Sequence, residues 1–338
     1  MTVLITGGSG FVGSLLARKL LEKGQTVKVY DLQTPPEGLL KDVEYIKGDI
    51  CDRDKVSDAM RGIDVVFHSA ALVSIADAGK RFNYVNFGGT QVVADESSKK
   101  GVSKFIYISS SSVYDLSQPM PLTEDSLIKD GHNDYASAKH IGETWVIMRY
   151  GDAATIIRPR TIVGEGRGGV FQILYDWIRR GKNVYIIGKG NNLFQMINNS
   201  DFCDFCILAS GKGLGGVFNV GTDRYGTFRN DLEALIRYAD TGSKIVSLPV
   251  SLAVCSLGIL YYLHLSPLVP FHYNSVHKPF YCDIAKAKSL GWKPNFSNQE
   301  MLVQAYNWYV KHYREFTVGT THTKAPSQKA LGWLRDIS

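Results

Sequence analysis

The chain opens on Thr2-Val3-Leu4-Ile5-Thr6-Gly7-Gly8-Ser9-Gly10-Phe11-Val12-Gly13, the stretch that decides its fold class. Its first five residues predict a buried strand, and the apolar residues between Ser14 and Lys23 recur with the spacing of an amphipathic helix. The glycines between these elements permit a tight turn, which brings backbone N–H groups and a helix N-terminus to a pyrophosphate. Strand, glycine turn and helix in this order predict the start of a dinucleotide-binding sheet.

An acidic residue follows at the distance that such a sheet requires. Residues 26–30 predict a second strand, and this strand ends in Asp31. A carboxylate at this place accepts hydrogen bonds from both adenosine ribose hydroxyls and repels a 2′-phosphate. The sequence therefore predicts NAD, rather than NADP, as the cofactor.

Strand and helix patterns alternate through the first half of the chain. Strands are predicted at residues 43–47, 64–68, 105–109 and 154–157, and helices at 52–60 and 82–100. Such alternation is typical of an α/β protein with a Rossmann-type doubly wound parallel sheet. We expect residues 1–165, with 215–222 returning to the sheet, to form this NAD-binding domain. Residues 166–214 and 223–315 are expected to form a smaller C-terminal substrate-binding α/β domain, followed by a tail at 316–338.

Tyr135 and Lys139 stand four residues apart in a helical pattern, so their side chains share one face. A lysine held that close favours the phenolate and lowers the tyrosine pKa from about 10. Such a tyrosine takes a proton from a substrate hydroxyl or returns one to a carbonyl. By itself this spacing is also common on ordinary helix surfaces.

Several motifs occur together in one order along the chain. They are the glycine loop, Asp31, Gly48-Asp49-Ile50, His68-Ser69-Ala70-Ala71, Asn86, the serine run before Val113-Tyr114, and Tyr135-x-x-x-Lys139. Together they resemble an extended short-chain dehydrogenase/reductase of the NAD-dependent epimerase/dehydratase family. The resemblance covers residues 1–315.

The resemblance implies roles for individual residues. Ser110 would hydrogen-bond the reacting oxygen beside the Tyr135 hydroxyl, and Lys139 would bind the nicotinamide ribose and lower the Tyr135 pKa. The cofactor would be NAD. The residues that the resemblance places around it are Gly7, Gly10, Phe11, Val12, Gly13, Asp31, Asp49, Ile50, Ala70, Ala71, Asn86, Tyr135, Lys139 and Pro159.

Two departures from the family pattern concern the substrate. Sugar 4,6-dehydratases of the family carry an Asp-Glu pair where this chain has Ser111 and Ser112, so dehydration is disfavoured. Members that act on nucleoside-diphosphate sugars commonly carry an arginine at the place of Phe194. Without it a nucleotide diphosphate loses a bidentate partner. Arg160, Arg167 and Lys189 are candidates to replace it, although ordinary surface charges are the commoner reading of such residues.

Residues 245–277 contain no Asp, Glu, Lys or Arg. Their most apolar part is shorter than the roughly 20 residues needed to span a bilayer, so a transmembrane helix is not expected. A buried helix is the main prediction, and an apolar flap over a lipidic substrate or against a membrane is the alternative.

Residues 155–201 are similar to two branches of the family that handle lipidic substrates. These are the 4-epimerases of polyprenyl-diphosphate-linked N-acetylhexosamine and the 3β-hydroxysteroid and 3-keto-acid dehydrogenases. The main hypothesis is an NAD-dependent 4-epimerase of a nucleotide- or lipid-diphosphate-linked hexose or N-acetylhexosamine, working through a transient 4-keto intermediate. The alternative is an NAD(P)-dependent dehydrogenase or ketoreductase on a hydroxysteroid, a 3-keto acid or a 4-keto sugar. A third hypothesis is a non-catalytic NAD-binding protein.

Composition limits the remaining classes of function. The formal net charge of +6 is mild, and no basic cluster is interleaved with aromatics, so nucleic acid is not an expected partner. Five scattered cysteines suit reduced thiols, no metal is expected, and Met1 runs into a strand without the pattern of a signal peptide. These features predict a cytoplasmic location, with peripheral contact to the inner face of the membrane if the substrate is lipidic. By resemblance, the helices at 82–100 and 135–150 are the candidates for a homodimer interface.

Overall fold

The computed structural model describes residues 1–72, 83–129, 134–211, 214–266 and 268–314. Its strands are β1 (Thr2–Thr6), β2 (Thr26–Asp31), β3 (Glu44–Lys47), β4 (Val65–His68), β5 (Lys104–Ile108), β6 (Ala154–Pro159), β7 (Thr161–Val163), β8 (Val184–Ile187), β9 (Met196–Asn198), β10 (Gly216–Val220) and β11 (Ile245–Leu248). Its α-helices are α1 (Phe11–Glu22), α2 (Glu37–Leu40), α3 (Arg53–Ala59), α4 (Thr90–Lys99), α5 (Asp134–Tyr150), α6 (Val170–Arg179), α7 (Asn199–Gly211), α8 (Phe228–Ala239), α9 (Val250–Tyr262), α10 (Pro270–Ser275), α11 (Ala285–Ser289) and α12 (Asn298–His312). A π-helical segment at Asn83–Gly89 leads into α4.

Seven parallel strands form the central sheet in the order β10-β6-β5-β4-β1-β2-β3. The strand order turns outward in both directions from β1 and β4, so the carboxyl ends of these two strands form the switch point where dinucleotides bind. Leu16 of α1 and Phe205 of α7 pack on one face of the sheet. Val93 of α4 and Val146 of α5 pack on the other face. The predicted Rossmann-type doubly wound α/β fold is confirmed.

A second apolar core lies beside this sheet. It joins residues of α6, α8 and α12, including Ile178, Leu235 and Leu302, to strand β8. Two small parallel pairs, β8 with β11 and β7 with β9, complete the region. The domain boundaries at 165 and 315 remain predictions, and the predicted tail at 316–338 lies outside the described residues.

Helix α9 corrects one expectation from the sequence. The charge-free stretch does form a helix, but Ala253 is the one residue of α9 that is fully buried. Ile259 is 56% exposed and Tyr262 is 81% exposed. The prediction of a buried helix is wrong, because α9 packs on β8 and α10 with its inner face only. Within the described ranges, no helix has the length and hydrophobicity needed to cross a membrane.

Candidate active site

The glycine loop between β1 and α1 leaves space that side chains would fill. Gly7 has a φ of +69°, in the region that favours glycine, and a Cβ there would lie 2.7 Å from the backbone of Ala70. A Cβ on Gly13 would overlap the carbonyl oxygen of Gly7. Gly10 gives α1 no side-chain cap, and an uncapped helix N-terminus is a typical binding place for an anion. The loop fits a pyrophosphate.

Two carboxylates, those of Asp31 and Asp49, lie in the cavity beyond the glycine loop. Asp31 accepts hydrogen bonds from the backbone N–H groups of Ser9 and Gln33, each at 2.9 Å, which fixes the carboxylate at the end of β2. Asp49 accepts from the N–H of Cys51 at 2.9 Å. Both face the same cavity, the place where the sequence predicts the adenosine ribose.

Other residues predicted to contact the cofactor divide into those that line the cavity and one that does not. Ala70 and Ala71 line the cavity, as does Ile50. Asn86 does not. Its amide bonds the backbone N–H and carbonyl of Leu72 at 2.7 and 2.8 Å, so it supports the segment after β4 from behind.

The predicted catalytic hydroxyls meet at the carboxyl end of β5. The Ser110 Oγ accepts from the Ser112 N–H at 3.1 Å and lies 2.8 Å from the Ser112 hydroxyl. It also forms a hydrogen bond with the side chain of Tyr135. Helix α5 therefore brings Tyr135 to Ser110, as the sequence predicts.

Lys139 lies one turn further along α5 and is buried. Its Nζ donates to the carbonyl of Ile108 at 2.8 Å and lies 4.8 Å from the centroid of the Tyr107 ring. Burial lowers the pKa of Lys139 to about 7, and the carboxylate of Glu143 opposes this shift. A small change in surroundings therefore moves this amine between its two protonation states.

The pKa of the Tyr135 hydroxyl differs from the expectation drawn from the sequence. The sequence predicts that Lys139 lowers the tyrosine pKa, whereas in the structure burial raises it. The Ser110 hydrogen bond and the positive charge of Arg167 oppose the rise without cancelling it. The Lys139 amine points to the β5 carbonyl instead. Tyr135 is thus a protonated phenol at neutral pH.

An ion pair lies behind these groups. Arg158 donates to both carboxylate oxygens of Glu143, at 2.9 and 2.6 Å, and also to the Tyr114 hydroxyl at 2.9 Å. Ser109, next to Ser110, donates to the same carboxylate. Because Glu143 follows Lys139 by one helical turn, this pair fixes α5 against β5 and β6.

Aromatic rings form the wall on the substrate side. Phe194, at the place of the family arginine, is buried against Phe228 with ring centroids 5.5 Å apart. The guanidinium carbon of Arg160 lies 5.3 Å from the Phe194 ring and 3.3 Å from the Phe280 ring. Phe280 and His272 line the cavity but were not expected from the sequence, in which nothing distinguishes them from core residues. The one signal available was a set of three histidines in the charge-free stretch at 245–277.

A single continuous cavity of about 840 Å³ connects these parts. It begins at the glycine loop, passes Ser110, Tyr135 and Lys139, and ends under α9. The wall beyond Ser110 is mostly apolar and includes Leu174, Trp177, Phe194, Leu257, Leu260 and Phe280. The carboxylates that line the cavity in the described part of the chain are Asp31 and Asp49, both at the ribose end.

Comparisons with known proteins agree with this arrangement. The model of the NAD dependent epimerase/dehydratase family matches residues 3–221, and the chain belongs to this family. It is an enzyme of the extended short-chain dehydrogenase/reductase class, an NAD-dependent epimerase or oxidoreductase. NAD is its cofactor, and the glycine cradle and Asp31 fit that molecule.

Individual relatives include proteins named as dehydrogenases and proteins named as epimerases. The chain is 40% identical over 335 residues to the uncharacterized protein y4nG of Sinorhizobium fredii, a match that covers 98% of this chain and 84% of that protein. It is 26% identical to a 3 beta-hydroxysteroid dehydrogenase/Delta 5-->4-isomerase of Mycobacterium tuberculosis, over 93% of this chain and 91% of that protein. The crystal structure of a UDP-glucose 4-epimerase from Thermotoga maritima superposes with a TM-score of 0.77 at 27% identity, over 93% of this chain and 100% of that one.

Proposed function

We propose that the protein is an NAD-dependent dehydrogenase or ketoreductase that interconverts a secondary alcohol and a ketone on a largely apolar substrate. The observation that carries this proposal is the apolar wall of the cavity between Ser110 and α9. Aromatic and aliphatic side chains lose water favourably only against an apolar ligand. A steroid or a long acyl chain offers such a surface.

The residues around Ser110 would divide the proton chemistry. The Ser110 Oγ hydrogen-bonds the reacting oxygen, and the Tyr135 hydroxyl gives a proton to that oxygen when a ketone is reduced or takes one when an alcohol is oxidised. Hydride exchange at the adjoining carbon is the chemistry that NAD supplies when bound. Lys139 would hold the nicotinamide ribose. Because burial raises the pKa of Tyr135, its resting phenol favours proton donation to a carbonyl.

The substrate wall argues against a free nucleotide sugar. Phe194 stands at the place of the family arginine, so the cation beside it is Arg160, between the Phe194 and Phe280 rings, whereas a diphosphate binds best to several cations and N–H donors. The mycobacterial relative named as a hydroxysteroid dehydrogenase supports an apolar alcohol of the steroid type.

A lipid-linked sugar 4-epimerase is the second candidate. It uses the same Ser110, Tyr135 and Lys139, and the similarity to the Thermotoga epimerase over nearly the whole chain favours it. Here Tyr135 would remove the C4 proton, and the 4-keto sugar would turn before it is reduced on its other face. The apolar wall would then hold the lipid carrier instead of the reacting molecule.

One experiment separates the two candidates. The purified protein is incubated with NAD and a panel of apolar secondary alcohols, 3β-hydroxysteroids and 3-hydroxyalkanoates, and NADH is followed by its absorbance. A net dehydrogenase releases NADH in every turnover. Inversion of a 4-hydroxyl of a polyprenyl-diphosphate sugar without added NAD, and no NADH from any alcohol, would reject the first candidate.

The Tyr135→Phe variant tests the site in either case. It keeps the ring but removes the proton donor, so turnover should fall on the order of 100- to 10,000-fold while NAD binding stays unchanged. A variant with full activity would reject the proton-handling role.

Surface features support two associations of the protein, with membranes and with itself. The exposed side chains of α9 stand at the apolar end of the cavity, where contact with a membrane would deliver a lipidic substrate. Tyr84, Ile141 and Met148 are exposed on the π-helical segment and α5, and they would form the homodimer interface.

A further inference from the structure

Arg160 is a buried cation that has no counter-ion among the residues that the structure describes. Its side chain follows Pro159 at the carboxyl end of β6, lines the substrate part of the cavity and is 2% exposed. Its Nη1 donates to the Ser111 Oγ at 2.9 Å, and its Nε and Nη2 have no hydrogen-bond partner within the described ranges. The rings of Phe280 and Phe194 hold the guanidinium in place. Three of its five N–H donors thus lack an acceptor.

The neighbouring Arg158 shows what a satisfied guanidinium looks like in this protein. Two residues earlier, on β6, and similarly buried, Arg158 forms a bidentate pair with Glu143 and further bonds to the Tyr114 hydroxyl and the Glu124 carbonyl. No carboxylate of the described residues pairs with Arg160, and the groups that favour its charged form are Cys282 and Tyr225. An unpaired buried charge is strongly destabilising, so the difference between the two arginines calls for an anion at Arg160.

The position of Arg160 indicates where on a substrate that anion belongs. The hydroxyl that accepts from Arg160 is on Ser111, whose α-carbon is about 3.8 Å from that of Ser110. The anionic group therefore lies close to the reacting carbon, while the apolar body extends toward α9. A single planar guanidinium between two rings matches one carboxylate, since both groups present a flat, two-pronged edge.

We propose that Arg160 binds a carboxylate of the substrate, and that the substrate is a hydroxy acid or oxo acid with a large apolar chain. This inference rests on the proposed dehydrogenase function and narrows its substrate class. In the oxidation the carbinol C–H and O–H bonds break and the C=O double bond forms. The hydride goes to NAD⁺ and the proton goes to solvent through Tyr135, giving oxo acid, NADH and H⁺. The carboxylate stays intact and only anchors the molecule.

The test compares a hydroxy acid with its uncharged methyl ester. Wild-type protein, Arg160→Leu and Arg160→Lys are assayed with 3-hydroxydodecanoate and with its methyl ester. Wild type should prefer the acid by about 10- to 100-fold in kcat/KM, since hydrogen bonds to a charged group are worth that much. Arg160→Leu should lose this preference but keep its activity on the ester, and Arg160→Lys should recover part of the preference. Lys244→Leu, at an exposed position away from the cavity lining, should behave as wild type.

A binding measurement does not depend on turnover. Trp177 lines the cavity, so dodecanoate and dodecanol can be titrated against tryptophan fluorescence in the presence of NAD. Dodecanoate should bind wild type more tightly than dodecanol does, and Arg160→Leu should reverse the order. Equal binding of both probes to wild type, or equal losses for both in Arg160→Leu, would overturn the assignment. NADH from the ester but not from the acid would overturn it too, with the dehydrogenase function intact. Absence of NADH from every alcohol would reject the dehydrogenase, and the binding titration would still decide the role of Arg160.

Discussion

Burial, more than pairwise attraction, sets the charge state of the residues around Ser110. The pKa of Lys139 falls to about 7 because its ammonium leaves water, and the pKa of Tyr135 rises for the same reason. His68 is also buried, and its pKa is lowered to about 3, so the imidazole between Thr6 and Thr90 is neutral. At neutral pH Tyr135 and His68 are therefore neutral, and Lys139 is near the midpoint of its titration.

Lys139 provides a test at the scale of the single residue. Lys139→Met removes a group that is costly to bury, so the free energy of unfolding at pH 7 should equal or exceed that of wild type, while turnover is lost. The folded pKa of Lys139, about 7, lies below the ordinary value of 10.5. Between these values the unfolded chain binds more protons, so this group makes wild type more stable as the pH rises.

The advantage of Lys139→Met should therefore shrink from pH 7 toward pH 10. Urea unfolding at several pH values measures it, and Lys100→Met, at an exposed position, controls for the loss of a lysine. A difference that grows with pH would contradict the lowered pKa.

Several functional groups lie where a secondary-structure element begins or ends. Gly10 begins α1, Asp31 ends β2, and Ser110 follows β5 as the cap of a 3₁₀ turn. Parallel strands place these ends on one edge of the sheet. The glycines of the first turn are required because α1 begins so close to β1.

Gly13→Ala tests this close approach. The new methyl group would overlap the Gly7 carbonyl, so we expect a loss of NAD affinity of at least tenfold and a lower melting temperature. Gly211→Ala, in α7 with open space around it, is the matched control and should leave stability equal or slightly higher. Isothermal titration with NAD and thermal unfolding measure the two effects. Unchanged NAD affinity in Gly13→Ala would show that the loop can accept a methyl group at position 13 and would contradict this prediction.

Helix α9 provides a second test at the scale of the element. The double variant Ile259→Ser, Tyr262→Ser changes exposed side chains, so the free energy of unfolding should stay within about 0.5 kcal/mol of wild type. Sedimentation with phosphatidylglycerol vesicles should fall severalfold if this face meets a membrane. The double variant Tyr84→Ser, Met148→Ser changes exposed apolar residues on another face and should not affect sedimentation. Equal losses in both variants would indicate nonspecific adsorption to the vesicles. No loss in either variant would reject the proposed membrane contact of α9.

At the scale of the whole molecule, one buried ion pair connects several parts of the chain. Arg158 on β6 contacts Glu143 on α5, the Tyr114 hydroxyl and the Glu124 carbonyl. Tyr114 and Glu124 in turn bond Asn219 of β10. The network thus holds the last strands of the sheet, the catalytic helix and the 114–124 segment together.

Removal of one partner should affect the whole fold. Glu143→Gln leaves the Arg158 charge buried without a counter-ion, which costs about 3 to 5 kcal/mol of unfolding free energy. Glu233→Gln breaks the more exposed pair with Arg229 and should cost under about 1 kcal/mol. Urea unfolding of both variants measures the contrast. Equal, small losses would mean that the buried pair adds nothing beyond an exposed one.

The sequence by itself determined the sheet, the glycine cradle, the preference for NAD and the meeting of Tyr135 with Ser110. Each of these depends on local periodicity or on a short motif whose geometry follows from the chain itself. Short elements such as β7, β9 and α10 carry too few residues to show a period, and the burial of α9 depends on neighbours that periodicity does not reveal. Only the tertiary structure decided the charge states of Tyr135 and Lys139 and the isolation of Arg160. Burial and the presence or absence of a counter-ion come from residues far apart in the chain, as when Ser111, Phe194 and Phe280 surround one guanidinium.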